Sequence, residues 1–352
     1  MKLPFIWDRY SDQPYPLKDK AYKKSMRKKN SFDYIPLFLT NVIIFPLSII
    51  IMKLFRGKKI DKRNFYGIGV NIDKGAIQNE LIEELGVKHL FIRMPLWEIE
   101  RIDEYYSFVK SFGEDKIILL NILQDREHIE DKQLLQKDIR TIFDTFGSFV
   151  VEYQIGNAIN RTKWGFFSMG EYLKWYKIIQ TIRDEEYPRL KLIGSSVIDF
   201  EFHYTIRTLF NFFSIEYDVF SSLLYVDRRG NPYNTQMGIF DTKNKINMLY
   251  ALVKISSKSS NALYITETNW PLRNTAPYAP TSEQECIGEK EYALFLKDYH
   301  KIALKSGKVQ RVYWHQLIAR GYGLVDDSAN EIRKMQGFYE YKRLIKKSFM
   351  KE

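Results

Sequence analysis

The chain has 352 residues, 45% of them hydrophobic, and a formal net charge of +11. One cysteine, Cys286, excludes an internal disulfide framework, and five scattered histidines (His89, His128, His203, His300 and His315) offer no metal-ligand spacing, so neither a metal nor a cofactor is expected. Residues 1–63 hold 15 of the 54 basic and 5 of the 43 acidic side chains, a surplus of ten, and the rest of the chain is left at +1. A nearly neutral body excludes nucleic acid as a partner, because phosphate binding needs a basic face on the folded part.

The basic surplus brackets residues 34–52, YIPLFLTNVIIFPLSIIIM, which carry no charge. As a helix they would extend about 28 Å, close to the hydrocarbon thickness of a bilayer. Basic residues on both sides suit an anionic lipid surface, so membrane association is expected, at a bacterial inner membrane but with neither side favoured. The segment starts too deep for a cleavable signal and has no small-residue cleavage site. Pro36, Asn41 and Pro46 suit a kinked span, a re-entrant segment or a surface-lying helix equally.

From residue 64 short apolar runs alternate with amphipathic stretches, which predicts βα units on a parallel sheet. The runs FYGIGVNI (65–72), VKHLFIRM (87–94), KIILLNIL (116–123) and FVVEYQIG (149–156) are the first four strands. The next four are 190–197, YDVFSSLLYV (217–226), the run ending in Tyr264-Ile265, and VQRVYWHQL (309–317). Helices are expected over 76–85, 103–112, 132–146, 170–186, 204–213, 241–255, 283–306 and 338–347. Eight units predict a (β/α)₈ barrel over 64–352, preceded by the basic region 1–63. The alternative is a doubly wound open sheet, but no G-x-G-x-x-G or P-loop turn follows the first strand.

In such a barrel the chemistry sits at the carboxyl ends of the strands. Those ends carry Arg93, Trp97 and Glu98 (strand 2), Asn157 and Asn160 (strand 4), and Asp199 and Glu201 (strand 5). Strand 6 adds Tyr225 and Asp227, strand 7 Glu267 and Trp270, and strand 8 Trp314, His315 and Gln316. Aromatic rings stack on the C–H faces of a pyranose while amides, Arg and carboxylates pair with its hydroxyls, so a glycan is the expected substrate or ligand.

From Tyr66 onward the chain resembles the clan of retaining glycoside hydrolases built on (β/α)₈ barrels. The resemblance rests on Arg93, on Ile155-Gly156-Asn157-Ala158, on Ile265-Thr266-Glu267 and on Trp314. It implies that Glu267 is the nucleophile, that Asn157 binds the sugar's 2-hydroxyl and that Arg93 keeps the nucleophile ionised. One position departs from the pattern: the acid/base Glu that should follow Asn157 is Ala158. Retaining hydrolysis needs two carboxyls about 5–5.5 Å apart, and alanine supplies none. Three readings stay open: another acid substitutes (Glu98, Asp199, Glu201 or Asp227), the site binds sugar without cleaving it, or a partner hydrolase subunit supplies catalysis.

Three longer stretches, 158–165, 225–230 and 316–326, resemble a bacterial subgroup of these barrels associated with lipopolysaccharide core processing. The subgroup includes the second subunit of a membrane-bound hydrolase that trims the acidic sugar Kdo. This implies that Arg161, Lys163, Arg228, Arg229 and Arg320 meet sugar carboxylates or phosphates, as guanidinium forks do. The alternative for them is salt bridging within the loops.

Overall fold

The computed structural model describes residues 1–328 and 331–349. Eight parallel strands close into a barrel: β1 (Tyr66–Val70), β2 (His89–Pro95), β3 (Ile117–Leu123), β4 (Glu152–Ile155), β5 (Lys191–Ile198), β6 (Val219–Leu223), β7 (Leu263–Ile265) and β8 (Arg311–Trp314). Because β8 pairs with β7 on one side and β1 on the other, no edge is left open, and the doubly wound alternative falls. Two helices, α1 (Lys20–Lys29) and α2 (Tyr34–Ile51), precede the barrel. Outside the strands pack α3 (Ile77–Leu85), α4 (Ile102–Lys110), α5 (Arg126–Glu130), α6 (Lys132–Phe146), α7 (Met169–Glu186), α8 (Phe202–Leu209), α9 (Thr242–Ile255), α10 (Glu289–Ser306) and α11 (Gln336–Phe349).

Strand alternation decides which side chains reach the barrel axis. Phe91, Leu119, Ile193, Val219, Tyr264 and Tyr313 meet there as an apolar plug. Arg93 and Asn121 lie two residues beyond Phe91 and Leu119, so they face the same interior, one layer nearer the mouth. Trp314 follows Tyr313 directly and therefore faces the opposite way, into the layer between strands and helices. There it stacks on Trp270 (5.8 Å between centroids, 23° between planes) and donates its indole N–H to Tyr292 Oη at 2.6 Å.

The first 63 residues are laid against this barrel. A short hairpin pairs Trp7–Asp8 with Gln13–Pro14, and α1 and α2 follow it. Asp33, just before α2, accepts from Gly170 N (2.8 Å) and from Arg207 Nη2 (3.1 Å). A Cβ at position 170 would lie 2.7 Å from Asp33 Oδ1, so this approach requires glycine there.

Along α2, Asn41 Nδ2 donates to the His203 carbonyl (3.0 Å) and Phe45 stacks on Phe202 at 4.3 Å. Beyond it, Lys58 N donates to the carbonyl of Gly307, which caps α10 at the base of the barrel (2.7 Å). Thus α2 runs down the flank from mouth to base, and Pro46 is absorbed within it. Its outward face exposes Phe38, Leu39, Val42, Ile43 and Ile50. The helical stretch Ser31–Ile51, with mean hydropathy 2.1, is long and apolar enough to cross a membrane.

Candidate active site

Strand β7 stops at Ile265, so Glu267 falls on the first turn of the loop at the barrel mouth. Its Oε2 accepts from Arg93 Nη2 at 2.7 Å, and its Oε1 accepts from the Tyr225 hydroxyl. The carboxylate lines a cavity of about 190 Å³ together with Arg93, Arg161, Lys163, Trp164 and Tyr225. Asp199, Arg229, His315 and Tyr322 complete much of the remaining wall. Arg229 lies 3.8 Å from the Tyr225 ring centroid, and the His315 ring stacks on Tyr322 at 5.4 Å.

Burial alone would push the Glu267 carboxyl up. The fields of His315 and Arg93, with hydrogen bonds from Tyr225 and Arg93, outweigh it and hold the group down to about 2. Burial lowers His315 to about 4, so its ring is neutral near pH 7 and Arg93 dominates there. Burial and the neighbouring Arg161 lower Lys163 to about 8. Asp199 is opposed by burial but kept below the usual carboxylate range by Arg229 and Arg161.

The N-terminal hairpin completes this site. Asp12, at its turn with φ of +51°, accepts from Arg93 Nη1 through Oδ2 (3.0 Å) and through its carbonyl (2.8 Å). Arg93 therefore bridges two carboxylates, Asp12 and Glu267. Gln316 Nε2 donates to the same Asp12 Oδ2 at 2.6 Å, and Lys163 Nζ donates to Gln13 Oε1 at 2.6 Å. Trp7 packs between Trp97 (5.3 Å) and Trp164 (5.7 Å), while Tyr10 meets Tyr278 edge-on at 5.3 Å.

No protein-family model matches the chain, and no curated protein matches it by sequence. Solved structures do match. A GH39 enzyme from Xanthomonas axonopodis pv. citri superposes with a TM-score of 0.56 at 13% identity, over 82% of this chain and 67% of that one. A monomeric beta-xylosidase from Caulobacter crescentus CB15 gives 0.58 at 14% identity, over 82% and 69%. A GH2 beta-galacturonidase from Eisenbergiella tayi gives 0.55 at 14% identity, over 83% of this chain and 51% of that one, so the chain spans about half of that enzyme. The fold is a glycoside-hydrolase-like barrel.

Within this glycoside-hydrolase-like barrel Glu267, Arg93, Tyr225, Arg161 and His315 share one cavity, as their strand ends suggest. Asn157 is fully buried outside the lining, with its backbone N–H and carbonyl held by Gln124. Asn160 bonds the backbone of Ile198 and the Glu201 carboxylate, so its amide is spent on holding two loops together. Trp270 and Trp314, expected to stack on a sugar, are instead fully buried in the helix layer. For Trp314 the reason is the alternation noted above. Trp270 is drawn the same way, packing on Phe295 and Tyr299 with its N–H on the Gly230 carbonyl.

Asp227 and the exposed Arg228 lie outside the cavity, and Arg229 lines it in their place. Arg320 lies in an adjoining outer cleft, 4.9 Å from the Tyr278 centroid. Glu98 lines that outer cleft too, bound by Arg101 (2.9 Å) and Tyr105 (2.8 Å). Among the expected substitute acids, Asp199 and Glu201 are both bound by Arg161 at 2.6 Å. Asp199 is thereby ionised near neutrality and has no proton to give.

Ala158, with φ of +45°, is buried in an apolar wall among Leu123, Trp164, Leu223 and Tyr225. Among the described residues no cluster of three or more His, Cys, Asp or Glu side chains is arranged to hold a metal ion. Sequence reasoning missed Trp7, Asp12, Gln13, Trp164 and Tyr322. The available signal was Trp7, Tyr10 and Tyr15 flanking a polar turn, an aromatic density that a solvated basic arm has no use for.

Proposed function

We propose that this protein is a membrane-attached sugar-processing barrel that acts on an acidic glycan of the bacterial envelope, a sugar of the lipopolysaccharide core, with Glu267 as its nucleophile. The observation that carries this reading is the ionised Glu267 carboxylate, gripped by Arg93 and Tyr225 inside an aromatic-walled cavity at the barrel mouth. Cationic Arg93, Arg161, Lys163 and Arg229 against Asp12, Asp199 and Glu267 leave that cavity one positive charge in excess, which favours an anionic sugar. The apolar outward face of α2 provides the attachment to the inner membrane. The test is incubation of the detergent-solubilised full chain with core oligosaccharide, following released sugar. Release supports the reading. No release, together with no binding by calorimetry, overturns it.

The proton donor in this proposal is Lys163, which follows β4 as the missing acid would and shares the cavity with Glu267. An ammonium lowered to about 8 is still charged at neutral pH yet gives up its proton readily, the property a general acid needs. The protonated form is lost as pH rises, so the rate is expected to fall above about pH 8. Lys163→Met is expected to be slower by about 10²–10⁴-fold on sugar leaving groups, with that alkaline limb gone. A pH–rate profile checks both, and an unchanged limb in the variant removes Lys163 from the role.

Ala158 and its apolar surroundings favour a second reading, a non-catalytic sugar-binding or scaffolding subunit beside a partner hydrolase. Tight oligosaccharide binding without turnover by the isolated chain supports it, and turnover by the isolated chain excludes it.

A further inference from the structure

Between the N-terminal arm and the barrel rim lies a second cleft of about 400 Å³. One wall is Lys23 and Arg27 on α1, four residues apart and so on one face of the helix. Neither forms an ion pair or side-chain hydrogen bond among the described residues, whereas Asp33, in the same lining, is committed to Arg207 and Gly170. Leu17, Tyr34, Leu37, Phe166 and Phe167 give it an apolar side, and its one further carboxylate, Glu201, is tied to Arg161 and Asn160. Tyr34 and Leu37 belong to the first turn of α2, so the cleft opens onto that helix's bare apolar face. Arg161 and Lys163 form the far wall and also line the cavity around Glu267.

Two uncommitted cations beside an apolar slope describe a receptor for a phosphate that carries an acyl chain. A free phosphate would gain nothing from Leu37 or Phe167, and a neutral lipid nothing from Lys23 or Arg27. We propose that this cleft binds the phosphorylated headgroup of a membrane lipid, pairing it with Lys23 and Arg27 while its chains follow the outward face of α2. Occupied in this way, the cleft holds the barrel mouth at the membrane surface, one side-chain layer from the headgroups. The inference rests on the membrane attachment proposed above and is independent of sugar turnover.

The test is flotation of the full chain with vesicles of phosphatidylcholine alone and of phosphatidylcholine containing phosphatidylglycerol. Lys23→Gln/Arg27→Gln is compared with Lys28→Gln/Lys29→Gln, which removes the same charge from exposed positions outside the cleft. Binding to the phosphatidylglycerol vesicles is expected to weaken about tenfold or more in the first variant and several-fold less in the second. Equal weakening in both would reduce the effect to general charge attraction and overturn the cleft. Full competition by millimolar glycerol 3-phosphate would make a soluble phosphate the ligand and overturn the lipid. Failure of the wild-type chain to bind any vesicle would overturn the membrane attachment itself.

Discussion

Glu267→Gln is expected to reduce sugar release from core oligosaccharide by at least about 10³-fold, the order of loss that follows removal of a nucleophile. The change is nearly isosteric, and the amide oxygen can still accept from Arg93 or from the Tyr225 hydroxyl. The fold is therefore expected to persist, with the loss confined to chemistry. Wild-type carboxylate, held at about 2, is ionised across the whole physiological range, so it contributes no acid limb to the rate above about pH 4. The check is a side-by-side time course with equal protein confirmed by circular dichroism. Equal release from both proteins would take Glu267 out of the mechanism.

Arg93→Met is expected to lower folding stability by about 3–5 kcal/mol, the cost of stripping the partner from a buried ion pair. Its side chain is 10% exposed and the Glu267 side chain 7%, so water reaches neither freely. The loss touches two anions, because Arg93 also holds Asp12. The pH dependence identifies the cause. A folded-state value of about 2 lies below the ordinary value for Glu, so the stability it reflects is present above about pH 4.3 and lost as pH falls towards 2. The gap between wild type and variant is therefore expected to be widest near neutrality and to narrow in acid. Urea titrations at pH 7 and at pH 3 measure it, and a gap that stays constant would attribute the loss to packing.

The barrel was legible because its determinants are local. Runs such as Leu119-Leu120-Asn121-Ile122, separated by helical periodicity, declare strand and helix within ten residues, and α6 spans residues 132–146 as its periodicity predicts. Glu267 and Arg93 were legible for the same reason, since a strand end fixes where a side chain sits. The inward or outward sense at Trp314 was readable in principle from Tyr313, but only once one residue of the strand is known to face the axis. Residues 1–17 were illegible for a different reason. Their partners, Arg93, Trp164, Tyr278 and Gln316, are 81 to 304 positions away, and no periodicity encodes a contact of that range.

That separation also sets an order of events. Asp12 leaves the ribosome 304 residues ahead of Gln316. At about 5–20 residues per second the hairpin waits roughly 15–60 s for its full set of partners. Trp97 and Trp164 are available to Trp7 by mid-chain, but Tyr10 waits for Tyr278 and Asp12 for Gln316. The pocket is therefore complete only after β8 and the residues beyond it have been made, when the hairpin docks onto Gln316.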